Sequence, residues 1–221
     1  MIDELKFLVL DYSKKDLPYI NELCAYLEKN CASIVQFFDI KNFGEKVNVK
    51  LWDSLTDFRK YYEKLFSKPN APYVVPKWVC GFANNNDVHT LTFSEFVKTK
   101  SNEDSTFDDL KKTVMHEFVH ACQKKIDKFG AYAWITEGLA VTLSGQYENV
   151  DVNKLKFDAT LNEMQFGCSN YTNYFLMFNY VYKTYGKNHI FKLIKNINLQ
   201  KTKTEKLFNE TKNYYAQGKS K

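Results

Sequence analysis

Apolar positions recur along this chain in two rhythms, and the order in which the rhythms change sets the expected fold. From Leu17 to Phe38, the residues Ile20, Leu23, Leu27, Ile34 and Phe37 form the stripe of an amphipathic helix. Val47 to Leu51 alternates apolar and polar, as a half-buried strand does. Ser54 opens a second helix through about Phe66, with Leu55, Phe58, Tyr62 and Leu65 facing inward. Pro69, Pro72 and Pro76 make Lys68 to Pro76 a loop. Trp78 to Ala83 and Val88 to Thr92 read as two strands around an Asn84-Asn85-Asn86-Asp87 turn.

Beyond the hairpin the rhythm turns wholly helical. Ser101 to Ser105 is a polar connection, and Ser105 with Asp108 resembles a capping box with Asp in place of Glu. That predicts a helix from Thr106 or Phe107 to about Ile126, with Leu110, Val114, Val119, Cys122 and Ile126 toward the core. Phe129-Gly130 ends it. Further helices are predicted from Thr136 to Leu143 or Ser144, and at about 152–164, 171–185, 188–196 and 202–215. The fold class is therefore α+β. A small mixed sheet with helices fills the N-terminal half, the C-terminal half is all helical, and the helix after Ser105 lies between them, where a cleft is expected. One domain over 1–221 is expected, with lobes at 1–107 and 108–221.

Composition narrows the classes of function. The chain has 221 residues, 44% hydrophobic and 16% aromatic, enough to bury a sizeable core. Its formal charge of +5 favours solubility over nucleic-acid binding. Arg59 is the only arginine, and lysine lacks the planar fork that reads guanine or clamps phosphate. Cys24, Cys31, Cys80, Cys122 and Cys168 are odd in number and form no C-x-x-C pair, which argues against a disulfide framework or a cysteine zinc site. Core packing is the expected role of Cys24, Cys31 and Cys122. No stretch approaches the ~20 apolar residues of a membrane span, and the acidic start of Met1 to Leu10 is wrong for a signal peptide. The sequence as it stands reads as cytoplasmic, or as secreted had a leader been removed.

The chemistry concentrates at His116-Glu117-Phe118-Val119-His120. Histidines at i and i+4 of a helix lie one turn apart on one face, so both rings can reach one metal ion. Glu117 beside them can touch a water on that ion. With four histidines in 221 residues, a chance H-E-x-x-H is expected in about one such sequence in a few hundred. The competing description is a lysine-rich surface helix with two incidental histidines. A catalytic zinc also needs a third protein ligand. Glu137, in Trp134-Ile135-Thr136-Glu137-Gly138-Leu139-Ala140, is the next candidate, because the connection to the second helix is short. Gly138 and Ala140 are small and let those two helices approach. Glu137 can equally be an ordinary acid in a first helical turn.

His116-Glu117-x-x-His120 followed by Trp134-x-x-Glu137-Gly138-Leu139-Ala140 resembles the gluzincin clan of zinc metallopeptidases, in its aminopeptidase-containing branch. Weaker likenesses flank the pair, at Trp78 to Ala83 with Val88 to Leu91, and at Tyr171 to Phe175 with Tyr180 and Tyr185-Gly186. The resemblance covers roughly residues 78 to 190. It implies a zincin-like fold, Zn2+ on His116, His120 and Glu137, and a water held by the metal. Glu117 is then the general base that takes the water's proton and passes it to the leaving amine. A tyrosine steadies the carbonyl oxygen; Tyr171 matches that place best and Tyr174 second. Gly81, Phe82 and Ala83 become the strand that pairs with an extended peptide or protein substrate.

The sequence departs from the family at two places. The aminopeptidase G-x-M-E-N element binds the substrate's free amine through its glutamate, but Gly81 is followed here by Phe82, Ala83, Asn84 and Asn85. Endopeptidase action is favoured over aminopeptidase action. A thermolysin-like acid four residues after the third ligand is also missing, since position 141 is valine. The alternative is a catalytically silent gluzincin-fold binding or regulatory domain, which the intact Glu117 disfavours. His89 and His189 read as packing and as a helix-start surface residue.

Overall fold

A computed structural model describes residues 1–99, 102–127, 130–167 and 170–217. Phe129, Ser101, Cys168 and the lysine-bearing tail lie outside the described residues. The chain divides into two compact units, Met1–Cys122 and Gln123–Lys221. The division falls later than the expected lobe boundary at 107 and 108, because the first turns of the histidine-bearing helix pack within the first unit. Among the described residues no helix is long and apolar enough to cross a membrane.

The first unit holds strands β1 (Ile2–Glu4), β2 (Leu8–Asp11), β3 (Val47–Trp52), β4 (Gly81–Asn84) and β5 (Asp87–Leu91). They form one mixed sheet in the order β1-β2-β3-β5-β4, so β4 is an edge strand. The β2–β3 and β3–β5 pairs are parallel, and the two outer pairs are antiparallel. Register places Leu8 opposite Val47, Leu10 opposite Val49 and Val49 opposite Val88, on one face. All of these are buried. Each such side chain stabilises the unit by about 1.5–3 kcal/mol relative to exposure. The opposite face carries Trp52, Phe82 and His89.

Helices α1 (Ile20–Phe37), α2 (Leu55–Phe66) and the short α3 (Phe93–Phe96) complete the unit, together with the larger part of α4 (Phe107–Ile126). The α1 stripe is buried at Ile20, Leu23, Leu27 and Ile34. Asp39 then turns the chain into the left-handed region (φ 54°) and ends the helix. Phe38, rather than the expected Phe37, enters the core. The helix also begins later than Leu17, after a capped 3-10 turn at Lys14–Asp16. Ser54 caps α2 by accepting from the Asp57 backbone. Within α2 only Phe58 is fully buried, and Leu65 is exposed, contrary to the inward stripe expected. The Phe58 ring packs against Phe82 of β4, with centroids 5.6 Å apart.

The two N-terminal strands were not legible as strands, and Trp78 to Cys80 precedes β4 rather than belonging to it. The cap of α4 is also displaced by one residue. Thr106, not Ser105, is its centre: Asp109 Oδ2 accepts from the Thr106 backbone and hydroxyl, both at 2.7 Å. Asp108 and Asp109 in the first turn and Lys124 and Lys125 in the last complement the helix dipole. Sulfur contact between Cys31 and Met115 (3.9 Å) and the Lys111–Glu22 ion pair (2.9 Å) join α4 to α1.

The second unit holds the end of α4 and helices α5 (Ala133–Leu143), α6 (Leu161–Phe166), α7 (Tyr171–Ile194) and α8 (Ile197–Gln217). It is all helical, as expected. The helix expected over 152–164 is instead a 3-10 turn at Val152–Lys154, an irregular stretch and α6. Asn173 explains the break. Its side chain accepts from the Asp158 backbone at 3.1 Å and donates to the Asp158 carboxylate at 2.9 Å, which holds that stretch out of a helix. Thr160 and Glu163 then form a capping box for α6. The two helices expected over 171–185 and 188–196 are the halves of α7, kinked at Gly186 (φ 76°).

Gly138 packs on α7, not on the histidine-bearing helix as its size suggested. A Cβ there would stand 2.5 Å from Phe178 Cβ and 2.8 Å from the Tyr174 carbonyl oxygen. Trp134 is fully buried and donates from Nε1 to Thr204 Oγ1 on α8 at 3.3 Å. Gln200 accepts from the Tyr132 backbone at 2.9 Å. These contacts fix the start of α5, and with it the backbone that carries Glu137.

Candidate metal centre

The middle of α4 is buried on nearly every side. Leu110, Val114, Met115, Phe118, Val119, Ala121 and Cys122 supply the apolar part, and His116 and Glu117 are buried among them. Incidental surface histidines would sit in water. Burying ionisable groups costs free energy unless something compensates, so this placement favours a site over a surface helix.

His116 Nε2 and His120 Nε2 stand 3.1 Å apart. Tetrahedral zinc ligands at about 2.0–2.1 Å from the metal lie roughly 3.3 Å from one another. The two nitrogens therefore have the spacing that one small cation requires. The same spacing also suits a single hydrogen bond between the two rings. His116, His120 and Glu137 each offer one ligand atom, and these atoms lie within 4.8 Å of one another. Two nitrogens and a carboxylate oxygen suit zinc.

Gln123 is a residue that sequence reasoning missed. It lies one turn after His120 and is buried, and its Nε2 donates to the Thr136 carbonyl at 2.9 Å. Thr136 directly precedes Glu137. A side-chain amide pointing back along α4 thus ties down the first turn of α5. The only signal was a polar residue on the core-facing side of the helix.

Glu117 meets the edge strand. A Cβ on Gly81 would stand 3.1 Å from Glu117 Oε1 and 3.3 Å from both Glu117 Cγ and Thr113 Cγ2. Only a glycine leaves that space open. Two ionisable neighbours of this carboxylate are held protonated. Burial first, and then the Glu117 charge, push the Cys80 thiol up to about 12. Burial, Tyr73 and Glu117 push the Tyr62 hydroxyl up to about 12. Both groups stay protonated at neutral pH and add no negative charge beside the carboxylate.

Of the three residues expected to pair with substrate, Gly81 faces Glu117, and Ala83 follows it by strand alternation. Phe82 points the other way. Its ring is buried against Phe58, Tyr61 and Tyr62 of α2.

Tyr171 stands in the first turn of α7 and is 40% exposed, with its ring 6.2 Å from that of Tyr174. Tyr174 is buried, and its hydroxyl donates to the Glu163 carbonyl at 3.5 Å. Its hydroxyl is therefore already engaged in the helical unit. His89 and His189 lie outside the ligand group. His89 accepts from Trp52 Nε1 at 3.3 Å, and His189 stacks on Tyr185 within α7. No family model, no curated protein and no solved structure matches this chain.

Proposed function

We propose that this chain is a zinc-dependent metallopeptidase of gluzincin type, with endopeptidase action favoured. The observation that carries the reading is the convergence of His116, His120 and Glu137 within 4.8 Å, with Glu117 one residue from the first ligand. His116, His120 and Glu137 would hold the zinc. When bound, the metal supplies Lewis acidity, which polarises a carbonyl and lowers the pKa of water toward ~7.

The chain's own residues do the rest. Glu117 takes a proton from the attacking water and delivers it to the departing amine nitrogen. Gly81 leaves room for that carboxylate beside β4. The main chain of β4, at the sheet edge, pairs with an extended peptide and holds the scissile bond near Glu117. Tyr171, the better match to the family's tyrosine, is assigned as the hydroxyl that donates to the carbonyl oxygen as it gains charge. No acid follows Gly81 through Asn85 to bind a free amine, which favours cleavage within chains.

The test is a peptide-library digestion by the zinc-loaded protein and by its Glu117→Gln variant. Cleavage that disappears in the variant while its zinc remains supports the mechanism. Equal cleavage by both forms excludes Glu117 as the base.

A further inference from the structure

The aromatic rings of the first unit run across the sheet in strand order. Trp52 on β3 lies 6.0 Å from His89 on β5, and His89 lies 4.8 Å from Phe82 on β4. The sheet ends at β4, but the rings continue. Phe82 meets Tyr62 at 4.7 Å and Phe66 at 6.0 Å. Those two meet Tyr73 at 5.7 and 6.2 Å. Among the described residues, His89 makes ring contacts with Trp52, Tyr61 and Phe82, not with Phe66 or Tyr73. Phe66 and Tyr73 therefore extend the row of rings beyond Phe82, toward the lane past β4 where a further strand would lie.

The rings at this end of the row are partly exposed. Phe66 is 42% exposed, Tyr73 39% and the adjacent Val74 79%. The loop that carries Tyr73 and Val74 is pinned to α2: the Tyr73 backbone donates to Ser67 Oγ at 2.8 Å, and Arg59 donates to the Lys77 carbonyl at 3.0 Å. Preformed apolar surface of this kind binds without paying the entropy of ordering a loop.

Strand alternation fixes what a peptide in the lane would meet. Gly81 points toward Glu117, and Phe82 points toward α2. A peptide residue paired with Phe82 projects to the same side as Phe82. It reaches Phe66 and Tyr73. Its neighbours, paired with Gly81 and Ala83, project to the Glu117 side. We propose that Phe66 and Tyr73 form a specificity subsite, which selects a large apolar or aromatic side chain in an extended peptide paired with β4. This rests on the reading of β4 as the substrate strand. It adds the class of side chain that is recognised, and it puts recognition and cleavage on opposite faces of one bound strand.

The experiment measures fluorescence anisotropy of labelled Ser- and Thr-rich nonapeptides with the zinc-loaded Glu117→Gln protein, which leaves the peptides intact. Each peptide carries one Phe or a Gly in its place. The Phe peptide is expected to bind about ten-fold tighter, and Phe66→Ala is expected to bring the ratio to within about three-fold. Tyr73→Ala, on the loop, repeats the test should Phe66→Ala fail to fold. Equal binding of Phe and Gly peptides overturns the subsite, and so does a preference that both variants leave unchanged. Self-association abolished by Tyr73→Asp, without any peptide preference, would give the lane to a second copy of the chain and also overturn it. A retained Phe preference in peptides that the wild-type protein never cuts would uphold the subsite and sink the peptidase reading.

Discussion

Gln123 donates to the carbonyl of Thr136 at 2.9 Å, and this bond ties the last turns of the histidine-bearing helix to the first turn of the helix that carries Glu137. Gln123→Ala removes this bond, which is additional to the carbonyl's own helical bond within α5, at a cost of about 0.5–1.5 kcal/mol in stability. Supporting residues of this kind change metal affinity by about 10–100-fold, so zinc affinity in the variant is expected to fall about ten-fold. Competition against a chelator of known affinity measures it. Unchanged zinc affinity would show that the bond plays no part in placing Glu137.

Gly81→Ala puts a methyl group 3.1 Å from Glu117 Oε1. The carboxylate must shift, and small misplacements of a reacting group cost up to about 100-fold in rate. The expected outcome is a fall in kcat of roughly ten-fold with zinc content unchanged. A variant with wild-type kcat would dissociate the edge strand from the base.

Gly138→Ala tests the helical packing independently of function. The new Cβ would lie 2.5 Å from Phe178 Cβ and 2.8 Å from the Tyr174 backbone oxygen, which cannot rotate away. Overpacking of this kind costs about 1–3 kcal/mol or more. Urea denaturation reads the change in midpoint. An unaltered midpoint would contradict the close approach of α5 and α7.

His89 gives the chain a pH dependence with a defined sign. Burial lowers its pKa from the usual 6.5, with Lys50 adding to the effect and Asp87 opposing it. Trp52 donates to Nδ1, so the neutral ring carries its proton on Nε2, a buried atom with no hydrogen-bond partner among the described residues. The unfolded chain takes up a proton near pH 6.5, while the folded ring resists it. The stabilisation is thus complete above about pH 6.5 and is lost as pH falls toward the lower folded value. His89→Gln keeps an acceptor for Trp52 but cannot titrate. Urea unfolding at about pH 7.5 and pH 5 should show a larger loss for wild type than for this variant; equal losses would remove His89 as the source.

Local signals made part of this legible from the sequence. Ser54 starts α2 where a side-chain cap is due, and the alternation of Val47 to Leu51 matches β3. The histidine spacing put both rings on one face of α4 without tertiary information. What escaped depends on partners distant in sequence. β1 and β2 are three and four residues long, too short for a pattern, and β2 exists by parallel pairing with Val47 to Lys50. The break before α6 needs Asn173, and the room that Gly138 leaves is room for α7. Gln123 looked like any polar residue until Thr136 was beside it. The direction of Phe82, away from Glu117, follows from alternation once the face of Gly81 is known.

The zinc content of the purified chain tests the central assignment most directly. Elemental analysis after gel filtration in chelator-free buffer should find about one zinc per chain, little or none in His116→Ala, and about one in Glu117→Gln. A wild-type protein that takes up no zinc when titrated with the metal, or a His116→Ala variant that keeps a full equivalent, would contradict the assignment of His116, His120 and Glu137 as a metal site.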